Sequence, residues 1–206
     1  MNQAAAIPAH AHRDDFGAKL GMWLFLITEM LLFSGLFLAY AYMRARYPAE
    51  FHHAGGEMNA VLGVTNTLVL LTSSLSMGLA ILAIQRGERS RALLGLAVTI
   101  LLGLVFLGNK AFEWTAEIRH GNYPGSPHLA TLPPGEQVFF GLYYTMTGLH
   151  GLHVLVGITM LTVMAVLVAR GRINQDRNVM LENGGLYWHL VDVVWIFLLP
   201  LFYLAA

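Results

Sequence analysis

Residues 20–43 form a predominantly apolar run of 24 residues, LGMWLFLITEMLLFSGLFLAYAYM, with a single carboxylate, Glu29, near its middle. A chain crosses a bilayer as a helix when about 20 consecutive residues are mostly apolar. Lipid offers backbone N–H and C=O groups no partners, so such a run must close its own hydrogen bonds as a helix. Four further segments qualify, at about residues 61–85, 91–113, 138–169 and 186–205. The expected fold class is therefore all-α, an integral membrane bundle of five transmembrane helices. The fourth segment, about 32 residues long, implies tilt or an extension beyond the hydrocarbon. Composition agrees: 56% of the 206 residues are hydrophobic and 12% charged, against about 25% charged in soluble domains.

The breaks between segments carry turn residues. Tyr47-Pro48 and His53-Ala54-Gly55-Gly56 separate the first two spans. Gln85-Arg86-Gly87-Glu88-Arg89 is a tight charged turn, residues 121–135 form the longest loop, and Arg170-Gly171-Arg172 opens the last connection. Residues 1–19 read as a polar cytoplasmic tail without the pattern of a signal peptide, and residues 20–205 as one five-helix transmembrane domain. Arg13, Lys19, Arg86, Arg89, Arg91, Arg170, Arg172 and Arg177 fall on one side. Arg44, Arg46, Lys110 and Arg119 fall on the other. That bias predicts the N-terminus inside and the C-terminus outside. Twelve basic and twelve acidic residues leave no electrostatic footprint for nucleic acid. The absence of Cys rules out disulfides and thiolate metal sites.

Polar residues inside the spans are costly and point to function. An acidic residue at a helix centre costs roughly 2.5–3.5 kcal/mol on insertion scales. Glu29, roughly 14 Å from the inner end of its helix, reads as a structural ion pair or protonated carboxyl, a proton-handling group, or an anchor for lipid or a neighbouring subunit. Thr65, Asn66, Thr67, Thr72, Ser73, Ser74 and Ser76 on span two predict close packing with hydroxyls bonding across. Lys110 is expected to snorkel outward and to pair with Glu113 or Glu117 at an interface. His150 and His153 lie three apart on one face. Structural hydrogen bonding or a lipid phosphate is the expected use, with a metal or haem site, His189 opposing, as the alternative. Pairing of His153 with Glu29 is a further expectation, since both fall at similar depth. His189 and Asp192 share a face of span five and are expected to pair with each other. Tyr187 and Trp188 fit an interfacial belt, Trp195 packs deeper, and Pro200 ends or kinks the helix.

Taken together, several segments resemble subunit III of the haem-copper respiratory oxidases. GMWLFLITEMLLFSGLFLAYAY is similar to that family's glutamate-bearing helix, with Glu29 on its buried carboxylate. NTLVLLTSSLSMGLA is similar to the next helix, and FLGNKAFEW places Glu113 on an acidic position. YYTMTGLHGLHVLVG carries the two histidines, His150 and His153. YWHLVDVVWIFLLPLFY carries His189, Asp192 and Trp195. The resemblance covers about residues 17–205. The long form of the family has seven helices and builds a lipid cleft between its first two and the rest. This chain resembles the short bacterial form, which lacks those two, so that lipid on the same face would need another subunit as its wall.

The resemblance implies a non-catalytic subunit with no haem or copper of its own, the redox cofactors being in partner subunits. It implies packing on subunit I, stabilisation of subunit I against turnover-linked inactivation, support of proton uptake, and bound phospholipid. Subunit II, a small subunit IV and a respiratory supercomplex are further associations it brings into view, in a bacterial inner membrane. Glu29, Glu113, His150, His153, His189, Asp192 and Trp195 are then the polar contacts to subunit I or lipid. Glu29 and the NT…SS pattern favour a cytochrome c oxidase, with a quinol oxidase or a nitric-oxide-reductase-associated relative as alternatives. From other classes come a small proton-coupled transporter using Glu29 and Asp192, and a b-type cytochrome anchor using His150, His153 and His189.

Overall fold

The computed structural model of the chain describes residues 15–204. They fold into helices α1 (Asp15–Arg46), α2 (Pro48–Gly56), α3 (Ala60–Gln85), α4 (Arg89–His120), α5 (Pro134–Ala169) and α6 (Val179–Leu199). Five of them, all but α2, are long and apolar enough to cross a membrane. The expected tail divides: residues 1–14 lie outside the described part, and Asp15 to Lys19 form the first turn of α1. The third span also runs further than its hydropathy suggested, to His120. It stops there because Gly121 adopts a left-handed conformation (φ +81°). The Asn122 N–H then reaches back to the Glu117 carbonyl at 3.0 Å, closing orphan carbonyls of the last turn.

Two further features differ from the sequence expectation. The connection after α1 is not a plain break but the short helix α2. Pro48 sits in its first turn, where its missing N–H costs nothing, and Phe51 packs edge-on against Tyr40 and Phe139 at 5.4 and 5.5 Å. Tyr187 and Trp188 are not a belt toward the headgroups. Trp188 is 0% exposed, because Gly103 and Gly157 leave room for its ring on either side. A Cβ on either glycine would lie 2.8 Å from that ring. Tyr187 is buried too, its hydroxyl donating to the His153 carbonyl at 3.2 Å.

At the far end Pro200 breaks the α-helix as expected, and the described residues finish in a π-helical turn, Pro200–Leu204. The Leu201 carbonyl, left without a helical partner, accepts from the Tyr40 hydroxyl. This ties α1 to the end of α6 through the ring cluster of Tyr40, Phe51, Phe139, Tyr143 and Phe202.

Helix α6 lies at the centre, against α3, α5 and α1, while α3 and α4 form the most extensive pair and α1 lies at the edge. On one side of the bundle Lys19 pairs with Glu182 at 2.8 Å, and Gln85 donates to the same carboxylate at 2.9 Å. On the other, His53 meets Glu136 at 3.3 Å.

The helix spacing around Trp188 is testable. Gly157→Val should overpack the ring and destabilise the bundle by about 1–3 kcal/mol. Gly141→Ala, on open space, should be neutral. Unfolding midpoints of the two variants in detergent measure the difference.

Candidate functional site

Three groups of polar side chains lie inside the bundle. The first joins α1 to α5. Glu29 Oε2 lies 2.9 Å from His153 Nε2, and His153 Nδ1 lies 2.8 Å from the Leu149 carbonyl. A carbonyl only accepts, so Nδ1 carries a hydrogen. The Nε2 contact then holds one proton between the ring and the carboxylate, as neutral acid with imidazole or as carboxylate with imidazolium. The pairing expected from depth is therefore present, and it satisfies an otherwise expensive mid-membrane carboxyl. Phe33 packs edge-on against the same ring at 5.2 Å. Of the two histidines of α5 only His153 takes part, for His150 turns elsewhere.

His150 is fully buried between Phe106 and Trp195, at ring distances of 5.5 and 5.2 Å. Neither of its ring nitrogens has a hydrogen-bond partner. The expected structural hydrogen bond is absent, because three residues of helix turn rotate His150 from the α1 side into the aromatic interior. Among the described residues no group of three His, Asp or Glu side chains converges as metal ligands would.

The second group is the seam between α3 and α6. Trp188 Nε1 donates to Ser73 Oγ and Trp195 Nε1 to Thr67 Oγ1, each at 3.0 Å. Ser74 Oγ lies 2.6 Å from His189 Nδ1. The hydroxyl run of span two thus bonds across, as its composition predicts. It also reaches α4: Asn109 donates to Asn66 at 2.8 Å and Ser76 to the Gly95 carbonyl at 2.9 Å. The expected His189–Asp192 pair does not form. His189 takes the Ser74 hydroxyl of the neighbouring helix instead, and both carboxyl oxygens of Asp192 are buried without a hydrogen-bond partner. One turn along the helix rotates Asp192 further inward than the half-buried His189.

The third group is one that sequence reasoning misplaced. Lys110 does not snorkel outward; it is 7% exposed and points into the bundle. Its ammonium lies 3.1 Å from Glu113 Oε1 and donates to the Tyr143 and Tyr203 hydroxyls at 3.0 and 2.8 Å. Both hydroxyls donate in turn to Glu113 Oε1 at 2.5 Å. The Trp195 ring stands 5.5 Å from the ammonium. Three helices and the terminal turn therefore meet on one ion pair. Short charge-assisted bonds of this kind are about twice as strong as neutral ones, and they offset the desolvation of two buried charges only when most of their bonding capacity is met. Glu113 Oε2 remains without a partner. The i, i+3 spacing of Lys110 and Glu113 was the available signal; nothing in the sequence joins them to Tyr143 and Tyr203.

A bundle of five long apolar helices, with Glu29 paired to His153 and Lys110 to Glu113 inside it, is a polytopic integral membrane protein. The family described as cytochrome c oxidase subunit III matches residues 1–206, the whole chain. The ubiquinol oxidase (cytochrome bo(3)) subunit 3 of Pseudomonas aeruginosa is 34% identical over 96% of this chain and 89% of its own length. Cytochrome c oxidase subunit 3 of Thermostichus vulcanus is 33% identical over 100% and 96%. Cytochrome c oxidase subunit 3 of Emericella nidulans is 31% identical over 96% of this chain but 71% of its own length. The chain belongs to the cytochrome c oxidase subunit III family, and as a subunit III it is a component of a respiratory oxidase complex.

The ion pair yields a prediction. Lys110→Met alone leaves the Glu113 carboxylate buried and should cost about 3–5 kcal/mol of bundle stability, whereas Lys110→Met with Glu113→Leu should recover most of that loss. A double-mutant cycle on unfolding in detergent reads the coupling.

Proposed function

We propose that this chain is the non-catalytic subunit III of a proton-pumping terminal oxidase in aerobic respiration. In this reading it packs mainly on subunit I, protects it during turnover, supports proton uptake into it and binds phospholipid. The haem and copper belong to its partners. The family match over the whole chain carries the reading. The geometry supports it: the polar side chains of the bundle bond chiefly to one another, as in the Glu29–His153 and Lys110–Glu113 pairs, and α1 sits at the edge with Leu24, Met30, Leu31 and Leu38 exposed for lipid or a neighbouring subunit.

The membrane is the bacterial inner membrane in this proposal, with the N-terminus inside. The burial of Lys110 supports that orientation, since it takes one of four basic residues away from the opposite surface. Subunit II, a small subunit IV and a respiratory supercomplex are the further expected associations. Glu29, with Glu113, His150, His153, His189, Asp192 and Trp195, acts through the bundle's shape and its contacts rather than through redox chemistry. Cytochrome c is the proposed electron donor. Quinol is the second reading, favoured by the ubiquinol oxidase subunit of Pseudomonas aeruginosa among the relatives.

Purification of the tagged chain in a mild detergent tests the proposal. A haem-copper subunit should copurify, and a chain that emerges alone with no haem would overturn it. Oxygen uptake by that complex with reduced cytochrome c, compared with ubiquinol, decides the donor. In the assembled complex Glu29→Ala should leave haem content and initial rate near wild type while shortening activity during sustained turnover. Loss of the initial rate with full assembly contradicts a supporting role.

A further inference from the structure

Helices α3 and α4 approach closely because their facing residues are small. A Cβ on Gly95 would lie 2.8 Å from the Ala80 Cβ and 3.1 Å from the Ser76 carbonyl. The hydroxyl of Ser76 closes the gap by donating to the Gly95 carbonyl. Large residues resume on the outer side of this contact. Leu79 and Leu82 of α3 and Leu94 and Val98 of α4 are all exposed. They form the walls of a trough of about 400 Å³ whose floor is Ser76 and Gly95. That size is within the range of small-molecule sites.

The mouth of the trough lies at the turn between the two helices and is basic. Arg86 and Arg91 line it, with Glu88. Glu88 holds Arg91 at 2.7 Å on the exposed surface, whereas Arg86 enters no salt bridge among the described residues. Glu88 spends its carboxylate on Arg91 and makes no cap to the first turn of α4, so the positive end of that helix adds to the same field. Arg89 stands beside it. The turn is on the side of the bundle that also carries Lys19, Arg170, Arg172 and Arg177.

We propose that this trough binds one anionic glycerophospholipid, its phosphate at Arg86 and Arg91 and an acyl chain along Leu79, Leu82, Leu94 and Val98. Charge complementarity selects the occupant: an apolar channel parallel to the spans with cations at its interfacial end matches a molecule that is apolar below and anionic at the head. Basic pockets between transmembrane helices recognise anionic headgroups in this way. The inference gives the phospholipid binding proposed above a place. It needs only this chain, so its failure is separable from that of the subunit assignment.

The test uses the full chain, delipidated in detergent and titrated with dioleoyl phosphatidylglycerol or, as the neutral probe, dioleoyl phosphatidylcholine, with bound lipid read by native mass spectrometry. One phosphatidylglycerol should be retained in preference to phosphatidylcholine. Arg86→Gln with Arg91→Gln should weaken that binding at least tenfold. Val98→Trp, which fills the trough without changing charge, should do the same. Arg119→Gln with Arg170→Gln removes equal charge elsewhere and should have little effect. Equal losses from both arginine pairs, or full binding by Val98→Trp, would overturn the proposal. So would an intact oxidase in which the Arg86 and Arg91 substitutions release a neighbouring subunit while the lipid complement stays constant, since a protein helix would then occupy the trough.

Discussion

The hydrogen bonds between α3 and α6 set the arrangement of the bundle. In a bilayer the apolar faces of helices gain little by leaving lipid for one another, so close packing and polar contacts must choose the partners. Trp188 and Trp195 each bring an indole N–H that has no other outlet in the interior, and Ser73 and Thr67 receive them. His189 meets Ser74 on the same seam. Once α6 is held there, the Trp188 ring needs room on its other sides, and Gly103 of α4 and Gly157 of α5 provide it. The positions of α4 and α5 thus follow from the seam, and α1 closes on the remaining side through Glu29 and Tyr40.

The Lys110–Glu113 pair works differently. It lies near one end of the bundle, where α4, α5 and the terminal turn converge, and its bonds to Tyr143 and Tyr203 cross between elements distant in sequence. A buried ion pair adds little net stability compared with apolar packing, but a broken one is costly. Its consequence here is that the turn after Pro200 has one place to go. Pro200 frees backbone groups near the end of α6, and Tyr203 and Leu201 are tied back by Lys110, Glu113 and Tyr40.

Buried polar atoms without partners mark the interior as well, among them both nitrogens of His150 and both oxygens of Asp192. Each costs about 1–3 kcal/mol if it remains unmet. The His150 ring lies 5.2 Å from that of Trp195, and Asp192 is buried on the same helix as Trp195. The buried polar side chains of the described residues are concentrated where the helices meet, while the basic-mouthed trough between α3 and α4 opens on the outer surface.

The number of spans and their helical character were legible in the sequence, because length and hydropathy suffice when the solvent cannot satisfy a backbone. So was the family, since GLHGLHV and YWHLVDVVW occur in order. The Glu29–His153 contact was legible from depth, and the α3 hydroxyls from their spacing. The inward turn of Lys110, the separation of His189 from Asp192 and the burial of Trp188 were not. A spanning helix is apolar on nearly every side, so hydropathy does not say which side faces the bundle. Only the rotation of each helix against its neighbours decides whether a polar side chain meets lipid, its own helix or a partner across the seam, and that rotation is set by glycines, hydroxyls and indoles from segments far apart in the chain.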